Sequence, residues 1–203
     1  MFIACFRYYQ KIKMTKSTFE NSDQVLSDRF CEIELGSVAE ITTGCQYPVY
    51  DLPRENLHPF TGIDKIIDNQ IILSESKYIR MSERERIKYK FKNGDIIFVH
   101  RTSPQQLGKS IRFDLKQTVL HTKYLRIRPK EGCDSHFLSL MLNVLRQSGT
   151  LHQIASVREN LSCIVIGDLK KIKIPFPSID AQRDIVIKAE KDCLITTCEL
   201  MSS

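Results

Sequence analysis

The run Asp95-Ile96-Ile97-Phe98-Val99 constrains this chain more than any other feature. It is short, built of β-branched and aromatic residues, and shows no polar alternation, so it reads as a strand that needs apolar cover on both faces. Layers of structure must therefore lie above and below it. Just upstream, Ser82-Glu83-Arg84-Glu85 matches a capping box and opens a short basic helix through Lys90, which Asn93-Gly94 ends. Just downstream, residues 100–110 (His-Arg-Thr-Ser-Pro-Gln-Gln-Leu-Gly-Lys-Ser) form a polar loop at the strand's end.

The flanking segments supply candidate layers. Ordered structure is expected from Ile33, with Ile33-Glu34-Leu35 as a strand, Gly36 as a turn and Val38-Ala39-Glu40-Ile41 as a short helix. Pro48, Pro53 and Pro59 argue for an exposed loop over 45–60. Gly62 to Ile67 and Gln70 to Leu73 flank Asp68-Asn69 and read as a hairpin. Lys123 to Arg128 alternates, with Leu125 and Ile127 on one face and Arg126 and Arg128 on the other, as in a half-exposed strand stopped by Pro129. Asp134 or Ser135 caps a largely buried helix from His136 to about Gln147, closed by Gly149. Leu151 to Ala155 is a small amphipathic turn, and Asp168 to Ile174 approaches a last strand before Pro175 and Pro177. From Ile179 onward, Ile179, Val186, Cys193 and Leu200 recur every seven residues as a helical stripe seeking a partner. The expected division is a poorly ordered leader over 1–32, an α+β domain with a single mixed sheet over 33–177, and a C-terminal amphipathic helix over 178–203.

Composition narrows the function classes. With 42% hydrophobic and 27% charged residues, the 203-residue chain has the make-up of a globular domain, and no segment has the apolar length of a membrane-spanning helix. The formal charge of +6 points toward an anionic partner, of which nucleic acid is the commonest large example. Seven cysteines, at 5, 31, 45, 133, 163, 193 and 198, show no zinc-ligand spacing and read as reduced, mostly buried thiols. The five histidines have no ligand spacing either, and the carboxylates Asp95, Asp168 and Glu190 are scattered. Neither an Asn/Asp-Pro-Pro-Tyr/Phe methyltransferase motif nor a glycine-rich cofactor loop occurs. Ser103 to Ser110 imitates a phosphate-binding loop but fails: Ser103 replaces the first glycine, Pro104 removes an amide, and Ile111 to Leu115 alternates like a strand where a helix N-terminus is required.

Four segments in order carry a family resemblance: Leu35-Gly36-Ser37-Val38-Ala39-Glu40-Ile41-Thr42-Thr43-Gly44; Asn93-Gly94-Asp95-Ile96-Ile97-Phe98; Leu125-Arg126-Ile127-Arg128-Pro129 with the Phe137 to Asn143 helix; and Asp168 to Pro177 followed by Gln182. Over roughly 33–190 the chain resembles the target-recognition domain of type I restriction-modification specificity subunits. Members of that family usually hold two such domains separated by long antiparallel helices. This chain has one, and its last helix covers about 24 residues, roughly 36 Å, so it resembles a half-subunit or a truncated relative. It also departs from the pattern at Arg101-Thr102-Ser103, where the family often has glycine, and at Val157 to Leu161.

The resemblance implies a non-catalytic, cytoplasmic module with no cofactor of its own, binding duplex DNA and choosing its sequence. Methyl transfer from S-adenosylmethionine would belong to modification subunits, and cleavage to a restriction subunit reached through them; a second specificity half or a homodimer stays open. Cations replace condensed counterions on DNA, while forked donors and amides read base edges. Residues 100–130 offer Arg101, Lys109, Arg112, Lys116, Lys123, Arg126, Arg128 and Lys130 for the first role. Arg101, Thr102, Ser103, Gln105, Gln106 and Lys109 are the expected recognition loop, with Lys123 and Arg126 on phosphates and Gln46 and Tyr47 on a neighbouring loop. Ile179, Val186, Cys193 and Leu200 are the expected partner-binding stripe. The competing reading is an interaction or decoy protein that occupies modification subunits without useful DNA specificity.

Overall fold

The structure, a computed structural model, describes residues 31–44, 47–67, 70–73, 77–115, 124–158 and 161–201. The element order is β1 (Cys31–Glu34), α1 (Leu35–Val38), β2 (Ala39–Thr42), β3 (Val49–Tyr50), β4 (His58–Phe60), β5 (Ile63–Ile67), β6 (Gln70–Leu73), β7 (Lys77–Ile79), α2 (Glu83–Tyr89), β8 (Ile96–Phe98), β9 (Arg101–Thr102), β10 (Ser110–Arg112), β11 (Leu125–Pro129), α3 (Ser135–Gln147), α4 (Thr150–Gln153), β12 (Ser156–Arg158), β13 (Leu161–Cys163), α5 (Ile166–Lys171), β14 (Lys173–Phe176) and α6 (Ile179–Met201).

The central sheet runs β10-β8-β11-β2, and every ladder among the described residues is antiparallel. Its second strand is the apolar run singled out above, and it is covered on both sides. Ile96 and Phe98 join Leu125 and Ile127 of β11 in a core that also takes residues from α1, β2, α3, α4, α5 and β14. Ile97 faces the other way, toward Ile63, Phe91 and Phe113, with the β5–β6 hairpin partly burying Ile66, Ile71 and Leu73 over it. The two faces of one three-residue strand thus hold together two separate apolar clusters.

Helix α3 does similar double service. Asp134 caps it, its Oδ1 accepting from the His136 and Phe137 amides at 2.8 and 3.0 Å. Leu138, Leu142 and Leu145, at i, i+4 and i+7, face the central core. Phe137, Met141 and Val144, one residue earlier in each case, face Ile185 and Ala189 of α6. Gly149, at φ 79°, closes α3 as expected, its amide donating to the Arg146 carbonyl at 3.2 Å.

Several expectations change. The α+β class holds, but among the described residues the strands are divided among five small antiparallel sheets instead of one mixed sheet. Cys31 and Glu32, read as the end of a leader, already pair with Phe176 and Pro175 of β14. The short helix lies at Leu35–Val38, and Ala39–Thr42 is a strand, because Ile41 pairs with Ile127 and Ala39 with Pro129 of β11. The proline-rich stretch holds two brief strands, β3 and β4, which pair with opposite edges of β7. Cys31 is exposed. Cys133 is buried, and burial together with nearby Asp134 pushes its thiol up to about 12, as suits an unreactive core thiol.

The C-terminal helix packs differently from its heptad reading. Among its described side chains, those it buries are Gln182, Ile185 and Ala189, while Val186 is only partly covered and Ile187 is exposed. Its first turns therefore lie on α3. The buried Gln182 fastens them: its Oε1 accepts from the Asp134 amide at 2.8 Å, and its Nε2 donates to the Gly132 and Pro177 carbonyls at 3.0 and 2.9 Å. Replacing it leaves buried polar groups without partners. Gln182→Ala is expected to lower unfolding free energy by about 2 kcal/mol, read from urea denaturation; a loss below about 0.5 kcal/mol, the level of an ordinary surface change, would mean that water fully replaces the side chain.

Candidate nucleic-acid interface

Sheet register decides which loops can act together. Thr42 at the end of β2 pairs with Arg126, Phe98 at the end of β8 pairs with Leu125, and Ser110 at the start of β10 also pairs with Phe98. The chain therefore leaves β2, leaves β8 and joins β10 and β11 along one edge of the central sheet. The loops after Gly44 and after Val99, singled out from the sequence, spring from this shared edge.

The second loop is tightly closed. Val99 exchanges backbone hydrogen bonds with Gly108 and Lys109, prolonging the β8–β10 hairpin. Within it, the Gln106 and Leu107 amides donate to the Ser103 carbonyl, at 3.1 and 3.2 Å. Leu107 is fully buried in the central core. Gly108, at φ +75°, packs so closely that a Cβ would stand 2.6 Å from Leu151 Cδ1. Arg101 and Thr102 form β9, which pairs with Cys163 and Ser162 of β13, and the Ile164 amide donates to the His100 carbonyl at 2.8 Å.

With its interior anchored, the loop turns its polar side chains outward. Arg101, Gln105 and Gln106 are exposed, and Thr102, Ser103 and Lys109 are half-buried. A cleft of about 290 Å³ is bounded by Arg101, Thr102, Gln106, Lys109, His100 and Tyr124. Among the described residues neither Arg101 nor Lys109, both in the cleft lining, has a carboxylate partner. Burial, then the neighbouring Arg101 charge, push the His100 pKa down and so disfavour the charged imidazolium.

Four of the other predicted cations serve the fold. Arg126, expected on phosphate, is 2% exposed. Its Nη1 donates to the Lys88 and Lys90 carbonyls at 2.5 and 3.1 Å, and its Nη2 to Glu40 Oε1 and Thr42 Oγ1, both at 3.1 Å. The correction has a plain cause: the C-terminal turn of α2 covers the face of β11 that alternation leaves polar, and the guanidinium satisfies its free carbonyls. Arg128 grips Asp95 through two bonds of 2.6 and 2.7 Å, which raises the Arg128 pKa. Arg112 pairs with Asp114 at 2.8 Å, and Lys130 donates to the Gly36 and Ser37 carbonyls. Gln46, Lys116 and Lys123 lie outside the described residues.

Tyr47 is tied to α2, its hydroxyl donating to Glu85 Oε1 while its ring stays exposed. Glu85 completes the predicted capping box with Ser82. The Tyr47 bond first, then the bonds from Ser82, hold the Glu85 carboxyl down at about 2. Of the partner stripe, Ile179 is half-buried and Val186 lines a groove with Leu140, Asn143 and Val144 of α3. Cys193 and Leu200 are on the same helix, their side chains outside the described residues.

Sequence reasoning overlooked the residues that shape the loop from beneath: Arg146 on α3, His152 on α4, and the buried Leu107. One signal was available. Arg146 is the sole arginine or lysine of α3, a helix otherwise dominated by apolar positions.

Comparison with known proteins places this arrangement. The fold matches the HsdS subunit from Thermoanaerobacter tengcongensis with a TM-score of 0.61 at 16% identity, over 98% of this chain and 46% of that one. It matches an S subunit of a type I restriction-modification system from M. genitalium with a TM-score of 0.53 at 15% identity, over 99% and 52%. The fold is thus similar to about half of each of those chains. A family model for the type I restriction modification DNA specificity domain matches residues 28–190, and the chain belongs to that family. It is also 32% identical over 145 residues to a protein assigned as the type I restriction enzyme MjaX specificity subunit of Methanocaldococcus jannaschii. That match covers 69% of this chain and 34% of the relative, so the chain spans about a third of the curated relative's length.

The low Glu85 pKa gives a checkable sign. A carboxyl lowered on folding stabilises the fold above its unfolded value of 4.5, and that contribution is lost as pH falls toward about 2. A carbon-detected NMR titration should find the Glu85 midpoint near 2, moving up in Tyr47→Phe; an unchanged midpoint in the variant would remove Tyr47 as the main cause.

Proposed function

We propose that this chain is a sequence-selecting DNA module of a type I restriction-modification system, binding duplex DNA through the loop 101–109 with the loop after Gly44 beside it. The observation that carries this reading is the loop itself: its backbone is anchored in the core while Arg101, Gln105 and Gln106 are exposed and the half-buried Lys109 lines the adjoining cleft, at the sheet edge shared by the other loop. A glutamine amide can both donate to and accept from adenine in the major groove, and Arg101 can fork onto guanine or a phosphate. Thr102, Ser103 and Lys109 would set register on the backbone, as phosphate contacts do. Gln46, Tyr47 and Lys123 are proposed to extend the same surface.

The module would not itself catalyse a reaction. Methyl transfer and cleavage would fall to modification and restriction subunits, in the cytoplasm, with α6 as the docking element. Among the described residues no helix is long and apolar enough to cross a membrane.

Selection of duplexes from a random pool, with and without a modification subunit and across a range of salt, tests the reading. Enrichment of one sequence class is expected. Arg101→Ala should either cost about 1–3 kcal/mol at one base position or lower the salt slope by about one, according to whether it reads a base or a phosphate. Gln105→Ala or Gln106→Ala should relax selection at one position with the salt slope kept. Tight binding to the modification subunit with no enriched duplex would instead favour the decoy reading.

A further inference from the structure

The underside of the recognition loop carries an arrangement that the outward-facing residues do not explain. Three of its backbone carbonyls, those of Pro104, Gln105 and Leu107, are held by side chains from elsewhere in the fold. Arg146 donates from Nη2 to the Gln105 carbonyl at 2.8 Å and from Nε to the Leu107 carbonyl at 3.1 Å. His152 Nε2 lies 3.0 Å from the Pro104 carbonyl, a contact that needs the tautomer protonated at Nε2. Arg146 has no ion-pair partner among the described residues, and its fork is turned inward onto neutral carbonyls.

Geometry gives this clamp a specific consequence. Gln106 lies between the two carbonyls that Arg146 holds, and Gln105 carries one of them. Pinning the peptide units around a residue fixes its Cα–Cβ direction, leaving only side-chain torsions to settle on binding. A planar guanidinium can hold two acceptors two residues apart in one orientation, which a lysine ammonium on a flexible stem cannot do as rigidly. Discrimination between bases depends on such fixed geometry, whereas attraction to phosphate depends mainly on charge.

We propose that Arg146, assisted by His152, is a positioning residue for base discrimination: it aims the Gln105 and Gln106 amides without touching the nucleic acid. The inference rests on the reading of this loop as the DNA-facing surface. Arg146→Met tests it in the full chain, since methionine keeps the apolar stem that packs beneath Gly108 and removes every donor. Two quantities are measured: the affinity ratio for a selected duplex over a scrambled one, and the slope of affinity against salt. The ratio is expected to fall about tenfold, the effect of losing one or two hydrogen bonds, with the slope unchanged because no phosphate contact is removed.

His152→Phe should shift the ratio less in the same direction, and His152→Gln, whose amide can donate again, should restore it. These histidine variants keep the test decisive if Arg146→Met fails to fold. An unchanged ratio in Arg146→Met and His152→Phe would overturn the inference alone. A slope shallower by about one, with both duplexes weakened equally, would overturn it by making Arg146 a phosphate ligand. Failure of the unaltered chain to prefer any duplex would overturn the DNA reading and the inference with it.

Discussion

Burial of β8 on both faces is the constraint around which the domain is arranged. Ile96 and Phe98 require the core built by α3, α1, α5 and β14, while Ile97 requires the cluster of Ile63, Phe91 and Phe113 beneath the β5–β6 hairpin. At about 25 cal/mol per Å² of apolar surface removed from water, neither cover can be lifted without a large loss. The end of that strand is therefore among the stiffest places from which a loop can start. The loop after Val99 begins there, returns through Lys109 to β10, and drops Leu107 back into the same core. A polar surface segment thus inherits the rigidity of the interior.

Charge is distributed with the same economy. The chain's formal charge of +6 invites a picture of a broadly basic face, yet the arginines of β11 are internal ties. Arg126 binds the end of α2 to β2, and Arg128 holds Asp95 at the head of β8. Burial and the neighbouring Arg128 lower the Arg126 pKa, opposed by the Asp95 and Glu40 charges. Removing either guanidinium would strand buried carbonyls or a carboxylate, so these residues stabilise the scaffold whatever it binds. Among the described residues, the cations that line the cleft, Arg101 and Lys109, flank exposed amides. Two charges beside two amides suit a surface whose selectivity comes from shape and hydrogen bonding more than from bulk attraction.

Much of this was legible in the sequence where one local interaction decides the outcome. The Ser82–Glu85 capping box, an α3 cap at Asp134 or Ser135 (the structure uses Asp134), the Gly149 stop, the hairpin flanking Asp68-Asn69 and the buried strand at 96–98 each follow from residues a few positions apart. What the sequence hid were long-range contacts. The alternation in Leu125 to Arg128 distinguishes apolar from charged positions, but only the placement of α2 shows that Arg126 is buried and Arg128 half-buried. Val38 to Ile41 has the look of a short helix until its ladder with β11 is known. The heptad count on α6 cannot anticipate the stripe that docks on α3, which includes Ile185 and Ala189 and is fastened by Gln182, a polar residue that no apolar pattern would select. Arg146 and Gln105 stand forty-one residues apart, a pairing no local rule reaches.

On the proposed reading, a stiff loop at the edge of the buried sheet meets the groove of a duplex while the arginines of β11 stay tied within the fold. Chemical-shift mapping of the full chain, titrated with a duplex recovered by selection, tests it most directly. The largest changes are expected at residues 101–109, with the guanidinium signals of Arg126 and Arg128 unmoved. Changes confined to α2 or α6, with residues 101–109 silent, would contradict the account.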